Sequence, residues 1–153
     1  MKAIIQRVAS ASVTVDNACV GSVGTGFLVL LGVHESDGEA EAELLASKTA
    51  ALRIFCDEND KMNLSLLDIG GEALVVSNFT LCADTKKGNR PSFIEAMEPT
   101  RADELYRYYC NRLKECGVRR VETGVFGADM TLDIKAVGPV TITLDTDTWR
   151  RKQ

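Results

Sequence analysis

Val137-Gly138-Pro139-Val140-Thr141 decides how the C-terminal part of the chain folds. It lies between two strand-like runs, Met130 to Ile134 and Val140 to Leu144. Glycine weakens a strand and proline removes a ladder donor. The pair therefore marks a tight bend, a bulge or an edge, and it leaves nearby carbonyls in need of other donors. One reading is an ordinary hairpin turn. The other is a backbone device facing a binding site.

Upstream, the chain reads as short strands around two helices. Residues 2–9, Ser12 to Val15, Cys19 to Val23 and Phe27 to Leu31 are strand-like, with a turn signal at Asp16-Asn17. The run Phe27-Leu28-Val29-Leu30-Leu31 is apolar throughout, as in a strand covered on both faces. Ser36-Asp37-Gly38-Glu39 matches a capping box with Ser36 as N-cap, opening a helix from Glu39 to Arg53. Leu45 and Leu52 share its apolar stripe. Ile54-Phe55 starts a strand that Asp57 to Asp60 stops. That acidic cluster lacks the glycine and distal glutamate of a calcium loop. Ala73 to Leu81 is a further strand, apolar first and polar at its end. A strand that turns polar is leaving the core for a pocket or a surface. The polar, basic loop 83–92 is long enough to be functional. Pro99-Thr100 opens a helix from Arg101 to Cys116, with an apolar stripe at Leu105, Tyr109, Leu113 and Cys116. Gly117 stops it. Val118 to Val125 completes the strands. About eight short strands joined mainly by hairpin-length links predict an α+β fold. A mainly antiparallel sheet or barrel carries two helices on one side.

The 153 residues suit a single domain spanning 1–153. A composition of 45% hydrophobic and 26% charged residues is that of a globular protein with one sizeable core. No apolar run approaches the roughly 20 residues of a membrane helix. The N-terminus turns polar too soon for a signal peptide. A cytoplasmic protein with no membrane partner is expected. Five cysteines without C-x-x-C spacing make neither a disulfide framework nor a zinc site. The net charge of −4 argues against extended duplex binding, so no DNA partner is expected. Contact with a short RNA end remains open through a local basic patch. Lys86, Lys87 and Arg90, then Arg119-Arg120, then the tail Arg150-Arg151-Lys152, are the candidates.

Conventional catalytic groups are scarce. His34 is the only histidine and reads as a surface turn residue. One histidine and scattered cysteines do not make a three-ligand metal site, so neither metal nor cofactor is expected. No phosphate-binding glycine loop opens a helix. What remains is Ser77, Asn78 and Thr80 at a strand end, and the Gly138-Pro139 bend. Thr80 has no obvious base, so it reads as a positioning group. Hydrolysis here would rest on preorganised polar groups aimed at developing charge.

Ser77-Asn78-Phe79-Thr80-Leu81 and Gly138-Pro139-Val140-Thr141 resemble the D-aminoacyl-tRNA deacylase family. The likeness extends to Gln6-Arg7-Val8, Leu30-Leu31-Gly32-Val33, Gly88-Asn89-Arg90-Pro91-Ser92-Phe93 and Glu122 to Met130, and covers nearly the whole chain. It implies a homodimer that hydrolyses the ester between a D-amino acid and the 3′-terminal adenosine of tRNA. Glycyl-tRNA, including glycine mischarged on alanine tRNA, is an implied second substrate. It further implies a cis Gly138-Pro139 bond entering the partner subunit's site. There its carbonyls receive the substrate amine and its backbone rejects an L side chain. By the same resemblance Thr80, Ser77 and Phe79 are catalytic. Gly138, Pro139, Asn78, Arg7 and Met130 bind substrate, Arg7 by holding the Gly-Pro orientation. Two positions depart from the family. Asn78 stands for the usual glutamine, one methylene shorter, and Ala136 replaces an asparagine. These departures motivate an alternative reading, a noncatalytic tRNA-end or nucleic-acid binding module of the same fold.

Overall fold

The computed structural model describes residues 1–150. In chain order its elements are β1 (Lys2–Val15), β2 (Ala18–Val23), β3 (Gly26–Gly32), α1 (Glu39–Ala51), β4 (Arg53–Cys56), β5 (Met62–Ser65), α2 (Leu66–Ile69), β6 (Glu72–Ser77), α3 (Pro99–Glu115), β7 (Arg120–Thr123) and β8 (Thr131–Asp145). The long strand β1 organises the sheet. Residues 2–8 of one edge pair with β3 and residues 11–15 with β2, while its other edge pairs with β8. The path continues β3-β6-β7. The curl brings β2 back to β7: a side-chain carbon placed on Gly21 would lie 2.6 Å from the Thr123 carbonyl oxygen. The sheet is therefore nearly closed.

Its pairs β1–β2, β1–β3 and β1–β8 are antiparallel, so the sheet is mainly antiparallel as the sequence predicts, with two parallel pairs added. The β3–β6 and β6–β7 pairs are parallel. Each is bridged by a long crossover that contains a helix, α1 in the first and α3 in the second. Such crossovers return the chain to the same sheet end, as a hairpin cannot.

Side chains alternate across β3 and β6 as strand geometry requires. Phe27, Val29, Ala73 and Val75 face the helices and join Leu45, Leu105, Tyr109 and Leu113 in the larger core. Leu28, Leu74 and Val76 join Val8 and Val13 in a second cluster on the other face. Both faces of Phe27 to Leu31 are thus covered. A buried hydroxyl pair, Thr49 Oγ1 with Tyr109 OH at 2.8 Å, ties α1 to α3. The Met1 amino group is also buried and donates to Asp37 Oδ1 at 2.6 Å and Thr146 Oγ1 at 2.7 Å.

Several local details differ from the sequence reading. Gly38, not Ser36, caps α1, and the Glu41 carboxylate accepts from its N–H at 2.8 Å. Asp37 is drawn instead to Met1 and to the His34 N–H. The helix stops at Ala51, and Arg53 begins β4. α3 starts two residues earlier than expected because the Glu98 carboxylate caps it. The elements β5 and α2, four residues each, are too short to show a periodicity.

At Gly138-Pro139 the structure chooses the bulge from the readings the sequence left open. No hairpin turn separates two strands there, because β8 runs straight through. Gln6 pairs with Thr141 and Val8 with Ala136. A two-residue step on β1 thus spans five on β8, and Val137 to Val140 leave the ladder as a bulge. Arg7 fills the gap: its Nε donates to the Val137 carbonyl at 3.2 Å and its Nη1 to the Ile54 carbonyl at 2.8 Å. The Gly138-Pro139 bond is cis, and Gly138 has φ of 121°.

Candidate active site

A cavity of about 700 Å³ opens where β3 and β6 end. β6 delivers its polar terminus to the cavity wall. Ser77 still pairs with Leu31 of β3, and the Asn78 N–H donates to the Leu31 carbonyl at 2.8 Å. Asn78 then breaks from strand geometry, and Phe79–Cys82 forms a tight 3-10 turn. Ser77, Asn78, Phe79, Thr80 and Met130 all line the cavity. The run Ala73 to Leu81 is therefore a strand only as far as Ser77, and its polar end is the pocket wall.

The Thr80 hydroxyl donates to Asn78 Oδ1. An amide oxygen is an acceptor but no base at neutral pH, so the hydroxyl is oriented without being activated. The backbone N–H groups of Phe79 and Thr80 have no acceptor among the described residues. The nearby carboxylate of Glu98 is occupied, accepting from the Thr100 and Arg101 N–H groups at 3.0 and 2.6 Å. Phe79 is 59% exposed and meets Phe93 edge-on at 5.1 Å between centroids.

Arg7, Gly138 and Pro139 do not line this cavity; the exposed bulge lies outside it in the same chain. His34 is half-buried rather than a surface residue. It bridges to Ala96, and its Nε2 is buried without a partner. Among the described residues no three histidine, cysteine or carboxylate side chains gather as a metal site. Cys82 and Cys110 are buried and all five thiols are free. No described helix is long and apolar enough to cross a membrane.

Phe93, Tyr106 and Asp129 are among the cavity residues that the sequence reading of the site did not name. Phe93 and Asp129 fall inside stretches already quoted for the resemblance, so their position was the available signal. Tyr106 adjoins Leu105 of the apolar stripe, where it reads as core. It is both: the buried hydroxyl donates to the Val75 carbonyl at 2.6 Å and braces β6 just ahead of Ser77.

A curled mixed sheet with two long helices on one face and a largely apolar pocket that receives the polar end of β6 defines a small α+β enzyme scaffold. A profile of the D-Tyr-tRNA(Tyr) deacylase family matches residues 4–145. A D-aminoacyl-tRNA deacylase of Anaeromyxobacter dehalogenans is 55% identical over 95% of this chain and 97% of its own. Another, from Ruegeria pomeroyi, is 56% identical over 95% and 99%. Among solved structures, one described as c-Myc DNA Unwinding Element Binding Protein superposes with a TM-score of 0.90 at 39% identity, covering 95% of this chain and 98% of its own. A probable eukaryotic D-amino acid tRNA deacylase shares the fold with a TM-score of 0.81 at 17% identity, over 94% and 97%. The chain belongs to the D-aminoacyl-tRNA deacylase family, and it is a hydrolase of the ester that joins a D-amino acid to tRNA.

Proposed function

We propose that residues 1–153 act as one domain that takes the aminoacylated terminal adenosine of tRNA into the 700 Å³ cavity. The chirality filter is the Gly138-Pro139 bulge of a second copy of this chain. In this reading water adds to the ester carbonyl, and the Phe79 and Thr80 N–H groups receive the negative charge. The ribose 3′ oxygen leaves with the electron pair of the broken C–O bond and takes a proton relayed by the adjacent 2′-hydroxyl. Free amino acid and tRNA result. Ser77, Asn78 and the Thr80 hydroxyl position the ester, and Met130 with the exposed Phe79 ring holds the adenosine end. The partner's bulge supplies carbonyls for the substrate amine and backbone that an L side chain would strike. Glycine, with no side chain, passes the same filter.

The observation that carries this reading is the division of the motif residues. Ser77 to Thr80 line a cavity, whereas the bulge that Arg7 holds is exposed on a strand whose outer edge is unpaired among the described residues. A homodimer reunites the two halves. The test pairs sedimentation with deacylation of matched D-tyrosyl-, L-tyrosyl- and glycyl-tRNA. A dimer that hydrolyses the D and glycyl esters well above background and spares the L ester is expected. Equal D and L rates, or a monomer with full selectivity, would sink it.

A second reading is favoured by the name of the DNA-unwinding-element neighbour and by Asn78 and Ala136. It predicts binding of an aminoacyl-adenosine analogue without turnover.

A further inference from the structure

We propose that the loop 84–92 is a phosphate clamp for the RNA strand leading into the cavity, with Lys86, Lys87 and Arg90 as its contacts. This rests on the reading that the cavity takes the aminoacylated end of tRNA. The loop is closed at its base, where Asp84 and Ser92 exchange backbone hydrogen bonds of 2.8 and 2.9 Å. One foot follows the Phe79–Cys82 turn by two residues and the other adjoins Phe93. The turn's first residues and Phe93 both line the cavity. No cation of the loop is more than three residues from a foot, roughly 11 Å of chain. The three charges are therefore tethered within a few residues of side chains that line the cavity.

Burial and pairing single out these three among the basic candidates. Lys86, Lys87 and Arg90 are exposed and pair with no carboxylate among the described residues. The loop's acid, Asp84, is turned inward to accept the Lys86 N–H at 2.9 Å. By contrast Arg119 and Arg120 are drawn to Glu72, and Arg150 to Glu41 and Asp147. Arg151 and Lys152 of the tail lie outside the described residues. No other described segment holds three unpaired cations so close in sequence. Exposed Phe79 offers an aromatic ring on which a base can stack, and Ile94, at 85% exposure and two residues from the loop's second foot, offers a further apolar contact. Unpaired cations flanking aromatic surface match a single-stranded polyanion better than they match a protein partner.

The test compares the wild type with Lys86→Ala/Lys87→Ala/Arg90→Ala on D-tyrosyl-tRNA and on D-tyrosyl-adenosine, which lacks the upstream phosphates. Each lost phosphate contact on a single strand removes about 0.7 from the log–log salt slope, so three remove about 2. Between 50 and 200 mM salt the wild type should then lose about 18-fold more apparent affinity for tRNA than the variant does. At low salt the variant's KM should rise at least tenfold more for the tRNA than for the short ester. Lys86→Arg/Lys87→Arg should keep the wild-type salt slope. A variant with the wild-type slope and the wild-type ratio of the two KM values overturns the clamp while deacylation stands. A wild type that hydrolyses neither ester overturns the underlying deacylase reading instead.

Discussion

Gly138→Ala probes the bulge directly. At φ of 121° an L side chain is strained whatever space surrounds it. Here there is also no space, because the new carbon would lie 2.8 Å from both the Val140 backbone nitrogen and Val140 Cγ2, and 3.1 Å from Arg7 Nη2. The Arg7 guanidinium and the Val140 side chain can swing aside; the Val140 backbone cannot move without reshaping the bulge. Backbone strain of this kind costs about 1–3 kcal/mol. Gly88→Ala serves as the control, since it shares a positive φ of 65° but meets nothing within 4 Å. Its cost is the left-handed conformation alone, about 1 kcal/mol. We expect Gly138→Ala to lose about 2–3 kcal/mol, or about 4–12 °C in Tm for a chain of this size, at a fixed protein concentration. The only escape is for the bulge to shift, which moves the carbonyls assigned to the substrate amine. Thermal unfolding and kcat/KM on D- and L-tyrosyl-tRNA together close both routes. A variant as stable as the wild type, with unchanged kcat/KM and unchanged D/L ratio, would refute the reasoning about Gly138.

Asp37→Asn leaves the buried Met1 ammonium without its counter-charge, and removing one partner of a buried pair costs about 3–5 kcal/mol; a loss below about 1 kcal/mol from urea midpoints would contradict the buried pair. Thr80→Ala should lower single-turnover deacylation about tenfold, the scale of one lost hydrogen bond of about 1.4 kcal/mol. A trapped acyl-enzyme, or a loss near the roughly 10⁶-fold of a deleted nucleophile, would reassign Thr80 to covalent catalysis. Burial pushes the Cys110 thiol up to about 12, and raises the Tyr106 and Tyr109 phenols in the same direction. Their protons leave the unfolded chain first, so this stability is intact below about pH 9 and falls as pH rises towards 12. Urea midpoints from pH 8 to 11 should decline accordingly, and Cys110→Ala should flatten the onset of that decline.

What the sequence made legible follows from how local each signal is. The apolar stripe at Leu105, Tyr109 and Leu113 depends only on helix periodicity, and all three residues are fully buried. The change from Val76 to Ser77-Asn78 likewise needs no partner to be read as a strand leaving the core. The parallel pairing of β6 is different in kind, because nothing within Glu72 to Ser77 says which strand lies alongside or in which direction. The bulge is the extreme case. Within five residues, Val137 to Thr141 are compatible with a turn, and only the register against Gln6 and Val8 shows that β8 continues. What holds the bulge in shape is Arg7, 130 positions away, and the carbonyl of Ile54 on yet another element. A Gly-Pro pair thus states that the ladder breaks, while a distant arginine determines what the break becomes. The scarcity of bases worked the other way and was readable by inventory alone. Among the described residues the one partner of the Thr80 hydroxyl is the amide two residues before it, so folding adds no activator there that the sequence lacked. In the mechanism we propose, the chemistry accordingly comes from backbone N–H groups and from the substrate's own hydroxyl. That is why Asn78, which both orients Thr80 and stands at the head of the turn that carries those N–H groups, is the departure from the family with the most direct route to rate in that mechanism.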